Sequence, residues 1–577
     1  MMEPIRIANC SGFFGDRASA AREMVEGGPI DVLTGDYLAE LTMAILARYR
    51  LRDPAAGYVP TLLSQLEDVL AACVDRGIKV VANAGGLNPA ALASEVEALA
   101  ARQGVALSVA TVTGDDVLDR VGELRHLVDG TALDTERGQP LTASAYLGGW
   151  GIADALTRGA DIVLTGRVAD ASLVVGPSAW WHDWGRDDWN ALAGAVVAGH
   201  VIECGAQATG GNYSFFAEVP DLLAPGFPIA EVAADGSSVI TKHPGSGGLV
   251  SAGTVTAQLL YEVGGPAYVN PDVVAHLDTV RLDDLGDDRV AISGVVGTPP
   301  PATTKVSTTL LSGFHNSVTF VLPGLDIEAK AALAEEALWR RVGGKEQYET
   351  VDVQLLRTEH DDPASHEASF AYLKVSVADT DAAKVGRAFS NAAIELALAS
   401  YPGFLVTAPP TSERPRIVYW PGVIDQPEVL VTVNGTSVGV PPTMAAEDPP
   451  AELDTDQRIA EVPAGSTVDI PLGRIVGARS GDKGGDANVG VWARSDESFA
   501  WLERFLSVER LKELVPEARP LRVDRYSLPK LRALNFVLHG YLGEGVSSSP
   551  KWDPQAKALG EYLRARVVPV PEVLVAS

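Results

Sequence analysis

The chain has 577 residues, 46% of them apolar and 21% charged, and a formal net charge of −29. That length is too great for one hydrophobic core, so several domains are expected, and the composition is that of an ordinary globular protein. So acidic a surface repels nucleic acid and anionic membrane, which excludes a role built on neutralising either one.

The N-terminus, Glu3-Pro4-Ile5-Arg6-Ile7-Ala8, reads as a first strand and not as a signal peptide. It runs into the small-residue loop 9–16 and then a helix from Arg17 to Gly27. The run 30–35 is a second short strand closed by glycine, followed by a helix from Tyr37 to Arg50 with Leu38, Leu41, Ile45 and Leu46 on one face. A helix over 61–76 leads to the strand 79–83, the loop Ala84-Gly85-Gly86-Leu87-Asn88, and Pro89 at a helix start. Further buried-type strands are expected at 107–112 and 161–165, the second followed by Gly166-Arg167-Val168-Ala169-Asp170. Strands buried on both faces and joined by helices predict an α/β fold with a mostly parallel sheet flanked by helices. Ligands bind such sheets at the loops after the strands' carboxyl ends.

From about Tyr268 the texture changes to an α+β region with strands at 318–322, 351–356 and 371–376 and a helix over 381–400. A Pro-rich acidic linker follows, and beyond Val468 strand, glycine loop, strand, helix and strand return in an order that suits a small ferredoxin-like module. The predicted division is 1–267 (α/β core), 268–440 (its α+β continuation), 441–466 (linker) and 467–577 (ferredoxin-like domain). No stretch approaches the ~18 uninterrupted apolar residues that span a bilayer. Three cysteines, Cys10, Cys73 and Cys204, form no disulfide framework; they suit a reducing compartment, and a cytoplasmic protein is expected.

An acidic protein that holds an anionic ligand needs a local cluster of cations and amide donors. The segment 478–488 is one candidate. There Gly481, Gly484 and Gly485 let the backbone approach a ligand, Arg479 and Lys483 add positive charge, and Ser480 and Asn488 add neutral donors, with Asp482 and Asp486 interspersed. The bland alternative is a solvent hairpin whose two aspartates pair with Lys483 and Arg479. A second candidate spans 199–254, where His200, Glu203, Cys204, Lys242 and His243 lie among glycine-dense loops. His200, Glu203 and His243 offer a general acid and base, and Lys242 a partner for a developing oxyanion. His200 and Glu203 share one helix face at a spacing of three, but no HExxH or CxxC pattern marks a metal site, and none is expected. Arg167 and Asp170 either bind substrate or pair with each other, and Asn83, Gly85 and Gly86 close the earlier strand toward a ligand. The tryptophans Trp180, Trp181, Trp184 and Trp189 read as a packing or interface cluster.

The stretches 35–42, 83–89, 145–149, 159–163, 203–212, 242–245 and 268–273 together resemble the acyclic terpene utilisation (AtuA-like) family. The segments 479–484, 526–529 and 534–536 resemble the ferredoxin-fold module that commonly ends such proteins. One departure is Ser144, where the resemblance leads one to expect Asn or a similar residue. The resemblance implies a place in the catabolism of branched acyl-CoA thioesters. Two expectations follow. The first is an enzyme acting on an acyl-CoA or related small carboxylate by hydratase, lyase or thioester chemistry, with His243, Glu203, Lys242, Arg167 and Asp170 catalytic. Asn83, Gly85, Gly86 and the 479–488 segment would then bind the ligand; no cofactor is expected, and a CoA thioester would be substrate. The second is a non-catalytic partner of an acyl-CoA carboxylase-type assembly. A homo-oligomer is the default for either.

Overall fold

The computed structural model describes residues 3–426, 430–439, 461–462 and 465–575. Five short apolar strands, Ile5–Asn9, Val32–Gly35, Lys79–Ala82, Ile162–Thr165 and Val109–Thr113, lie side by side in that order, all parallel. Each is too short and too apolar to face water on either side, and helices cover both faces.

The sheet as a whole is mixed, which corrects the expectation of a mostly parallel one. Beyond Ile5–Asn9 it continues through four antiparallel strands, Pro228–Val232, Ser238–Lys242, Arg289–Ser293 and Arg281–Gly286. On the other edge Thr432–Val433 and Thr436–Ser437 add an antiparallel hairpin. The reason is local. Asp235-Gly236 makes a tight turn, with Gly236 at φ 81° and the Asp235 carboxylate accepting from the Ser237 amide at 3.0 Å, and so short a turn joins only antiparallel neighbours. No helix of the described residues is long and apolar enough to cross a membrane.

A second sheet is built on one strand of 21 residues, Thr303–Pro323. Arg414–Asp425 pairs along one side of it, while Gln139–Ala145 and then Phe370–Asp379 share the other. Gln139–Ala145 comes from the first segment, and residues 432–437 return to the first sheet, so 1–267 and 268–440 are interlaced and share strands in both directions. Several expected helices are shorter: 61–76 is two helices, Thr61–Glu67 and Leu70–Arg76, and in 381–400 the regular α-helix is Phe389–Ile394.

Of the expected linker, residues 441–460 lie outside the described residues, and Thr467–Pro471 already pairs with Val567–Pro571. The C-terminal module is a four-stranded antiparallel sheet in the order Val476–Lys483, Asp486–Ala493, Ala533–Leu538, Val523–Leu528. Side chains alternate across it. Val489, Val491, Leu534 and Phe536 pack with Phe499 and Leu502 into the module's own core. The opposite face docks on the first domain: Trp492 stacks on Tyr213 with centroids 6.1 Å apart, and Leu528, Leu531 and Ala533 join the first domain's core. Arg479, Gly481, Lys483, Asn488 and Asn535 belong to this docking face.

Candidate functional site

The carboxyl ends of the parallel strands form one wall. Asp36, just past Val32–Gly35, accepts from Asn83 Nδ2 at 2.6 Å and from the Leu38 amide at 3.2 Å. The Asn83 Oδ1 atom in turn takes the Tyr37 amide at 2.8 Å. Arg167, past Ile162–Thr165, is fixed at both ends. Its amide donates to Asp115 Oδ2 at 2.7 Å, and its Nη1 donates to Asp170 Oδ1 at 2.8 Å and to the Leu38 carbonyl at 3.1 Å. The guanidinium lies 4.3 Å from the centroid of the Tyr146 ring. Gly166 is required here because a Cβ would stand 2.4 Å from the Asp115 carboxylate. Gly85 and Gly86 serve neighbouring loops: a Cβ on Gly85 would meet the Thr165 carbonyl at 2.5 Å, and one on Gly86 would meet Leu46 at 2.4 Å.

The second wall comes from the long strand and its neighbours. Tyr146 donates to Glu40 Oε1 at 3.1 Å, Lys305 lies 3.7 Å from the same oxygen, and its ammonium stands 4.7 Å from the Tyr146 centroid and 5.6 Å from that of Tyr419. A third wall is the end of the helix Trp189–Ile202. His200 Nδ1 is 3.1 Å from Glu203 Oε1, its ring sits 5.0 Å from that of Tyr268, and Glu203 Oε2 has no partner among the described residues.

The C-terminal module supplies the fourth wall. Val476–Lys483 and Asp486–Ala493 form a hairpin turned by Gly484-Gly485, with Lys483 opposite Asp486. The expected aspartate–cation pairs do not form: Asp486 bonds His539 Nδ1 at 2.9 Å, and Arg479 turns inward, where Nη2 bonds Gln207 and Nη1 the Asn212 carbonyl at 3.4 Å. The Arg479 guanidinium also covers the Tyr261 ring at 4.4 Å. Gly481 leaves room for that ring, because a Cβ would meet it at 2.5 Å. Asn488, fully buried, accepts from the Glu262 amide at 2.9 Å and donates to the Leu260 carbonyl at 2.7 Å, which fixes the loop carrying Tyr261 and Glu262. Ser480 faces the other way and accepts from the Gly560 amide at 2.8 Å.

The walls are joined through shared rings: Arg167 and Lys305 both lie over Tyr146, Lys483 and His200 both approach Tyr268, and Tyr419 lies against both Lys305 and the Gly484 turn. Burial, with Asp170 and Glu262 nearby, pushes Glu203 well above the usual carboxyl range, and burial and Asp170 do the same to Asp36. Glu262 is raised by burial, and Asp482 is pushed up to about 7 by burial, Glu262 and Glu40. Burial also works against the charge on Glu40, but Lys305 and Arg167 outweigh it and hold that carboxyl at about 2. Burial and Lys483 bring His200 down to about 4. Lys483 is lowered by burial and by the Lys305 charge, yet its side chain keeps solvent-accessible surface. It therefore projects into solvent-accessible space and not into packed core. Among the described residues it has no hydrogen bond or ion pair, only the Tyr268 ring 5.8 Å away.

The sequence-derived candidates divide. Glu203, Arg167, Asp170, Asn83 and Lys483 meet at this chamber, with Arg479, Gly481 and Asn488 holding its rim, while Asp482 lies on the other face of its strand and feels Glu262 and Glu40 through their charge. His243 and Lys242 belong to the antiparallel flank instead. His243 Nε2 bonds the Met24 carbonyl at 2.8 Å with the ring against Gly27-Gly28, and Lys242 pairs with Asp288 at 2.9 Å and donates to the Ser246 carbonyl at 2.7 Å. Trp181 and Trp184 donate to the backbone of Glu3 at 3.0 Å and of Ala234 at 2.8 Å. Lys305, Glu40, Tyr146, Glu262 and Tyr419 were not singled out by sequence. The one signal available was Lys305, a lone charge in a strand of Thr, Val, Ser and Leu, where an unpaired cation is costly.

A sequence model of the acyclic terpene utilisation family protein AtuA matches residues 5–434. The chain belongs to that family. A second model, the AtuA ferredoxin-like domain, matches residues 470–569 and covers the hairpin that carries Lys483. No curated protein matches the chain. In this AtuA-family chain, then, the chamber is assembled from both matched segments.

Proposed function

We propose that the chain is a catabolic enzyme performing acid–base chemistry on an acyl-CoA or related small carboxylate, of the hydratase, lyase or thioester class. One observation carries this reading: an unpaired lysine, Lys483, is delivered by a separate module into a chamber of buried carboxyls whose proton affinities burial has raised. Separated pKa values among neighbouring titratable groups are what proton transfer near neutral pH requires. Glu203, with one oxygen unpartnered, is the proton carrier, and Lys305 and Arg167 hold the substrate's anionic oxygen. The three free cysteines suit a reducing cytoplasm, and a homo-oligomer is the expected form.

The test is to incubate the purified protein with a panel of branched acyl-CoA thioesters and the corresponding free acids and to follow product masses. Conversion should fall by about 10²-fold or more in Glu203→Gln. His243→Ala should retain activity, because that ring serves the sheet's flank. If no member of the panel is bound or converted, the proposal fails. If activity survives Glu203→Gln and the protein co-purifies stoichiometrically with a carboxylase-type complex, the chain is a partner subunit instead.

A further inference from the structure

We propose that Lys483 is a covalent nucleophile that condenses with a carbonyl carbon, so that the chamber's substrates are ketones or aldehydes carrying an acidic group. The inference rests on the chamber being the active site and goes on to name its substrate class.

The other interior cations are engaged. Arg167 is bound to Asp170, Lys242 to Asp288, Arg479 to Gln207 and the Asn212 carbonyl, and Lys305 lies 3.7 Å from Glu40. Lys483 feels the charges of Glu262, Glu40 and Asp170, and its own charge acts on Glu203, yet among the described residues it reaches none of them within ion-pair distance. Burial, and then Lys305 as a like charge, lower its proton affinity and outweigh the opposing pull of those carboxylates. An amine on a strand face turned toward the first domain, with no ion pair and with its proton affinity lowered beside a second cation, is the arrangement that makes a lysine a Schiff-base former.

The step balances with groups on the page. Neutral Nζ adds to the carbonyl carbon, and the proton it gives up passes through a carboxyl to the former carbonyl oxygen. The hydroxyl then leaves as water with a second proton from a carboxyl such as Glu262, forming the iminium. Cleavage of a bond on the adjacent carbon places its electron pair on that nitrogen. The electron-poor fragment leaves as a proton taken by a carboxylate, as carbon dioxide or as a second carbonyl compound. The enamine that remains takes a proton on carbon from a carboxyl to become the iminium again. Water adds to it, releasing the carbonyl product, the free lysine and a proton that returns to the carboxylate. Lys305 and Arg167 hold the substrate's acidic group meanwhile.

The experiment treats the full chain at pH 7 with limiting formaldehyde and cyanoborohydride and maps the modified lysines by peptide mass. A parallel arm traps levulinate with borohydride. Lys483 should be modified ahead of Lys345 and Lys384, which are exposed as it is but paired with Glu335 and Asp379, and levulinate should be trapped on Lys483 in the parent and lost in Lys483→Arg. Lys305→Gln should slow the Lys483 reaction at pH 7 and move its half-maximal rate to higher pH. Modification of Lys483 no faster than Lys345 and Lys384, or trapping at the same other lysines in parent and Lys483→Arg, overturns the inference. Turnover of acyl-CoAs without trapping overturns it while leaving the proposed function standing; trapping without such turnover supports it and removes only the acyl-CoA reading.

Discussion

Asp115 shows how much of the site depends on a single buried carboxyl. It is 5% exposed, and burial pushes it from its ordinary 3.8 up to about 7, against the opposing bond from the Arg167 amide. The folded state therefore holds this proton more tightly than the unfolded chain. Its contribution is neutral below pH ~4, and it destabilises the fold increasingly as pH rises toward 7. Asp115→Asn keeps an acceptor for the Arg167 amide and removes that cost. The variant should gain on the order of 3 kcal/mol relative to the parent at pH 7.5 compared with pH 4.5, read from denaturant midpoints at the two pH values. Equal pH dependence in the two proteins would contradict the assignment. Sequence reached this neighbourhood from one side only. Arg167 and Asp170 stand out beside a glycine after an apolar run, whereas Asp115 meets them across 52 residues of chain, and no local pattern encodes such a contact. His243 misled for the complementary reason. Its glycine-rich surroundings read as a ligand loop, but the glycines that matter to it are Gly27 and Gly28, where a Cβ would stand 2.5 and 2.8 Å from the ring.

At the scale of elements, the two hairpin strands of the C-terminal module do two jobs by alternation alone. Odd positions from 479 to 483 and even positions from 488 to 492 face the first domain, and their neighbours fill the module's own core. Asn488 and Asn535 sit on adjacent strands, bond each other at 2.9 Å, and divide the carbonyls of Leu260 and Val263 between them. Asn488→Ala would leave the Glu262 amide and the Leu260 carbonyl without partners in a buried place. A loss of about 2–4 kcal/mol is expected from the two stranded groups, measurable by urea unfolding, together with reduced labelling of Lys483 as the loop opposite it loosens. A loss within error would mean that this loop is held elsewhere. The parallel strands were legible because each is a short, mainly apolar run. The hairpin at 228–242 was not, since its antiparallel return depends on the turn across residues 233–237, and the strand–glycine loop–strand expected after Val468 gave no sign of which face docks on the first domain. The long strand Thr303–Pro323 was seen only in part, because its bulge near Gly313 interrupts the pattern where it changes partners.

For the whole molecule, the decisive fact is that the first domain's core does not stop at the module boundary. Trp492, Leu528, Leu531 and Ala533 are built into it, and 139–145 and 432–437 bind the two large sheets to each other. Calorimetry should show one cooperative unfolding transition for the full chain, not separate transitions for residues up to 439 and beyond 465. Two resolved peaks would show that the docking contributes little. The net charge of −29 gives the chamber its chemical meaning at this scale, because Arg167, Lys305, Lys483 and Arg479 gather cationic charge where the rest of the surface has little to offer an anion.

The position of Lys483 along the chain has a consequence for biosynthesis. A ribosome exposes the carboxylate-lined cradle, strand by strand, long before it reaches the amine, and the hairpin can dock only after the last strands of the module have emerged. A product terminated between residues 420 and 482 therefore carries the cradle residues without Lys483. On the proposed chemistry such a fragment has no amine to react at the cradle, and reactivity begins only once translation is all but finished.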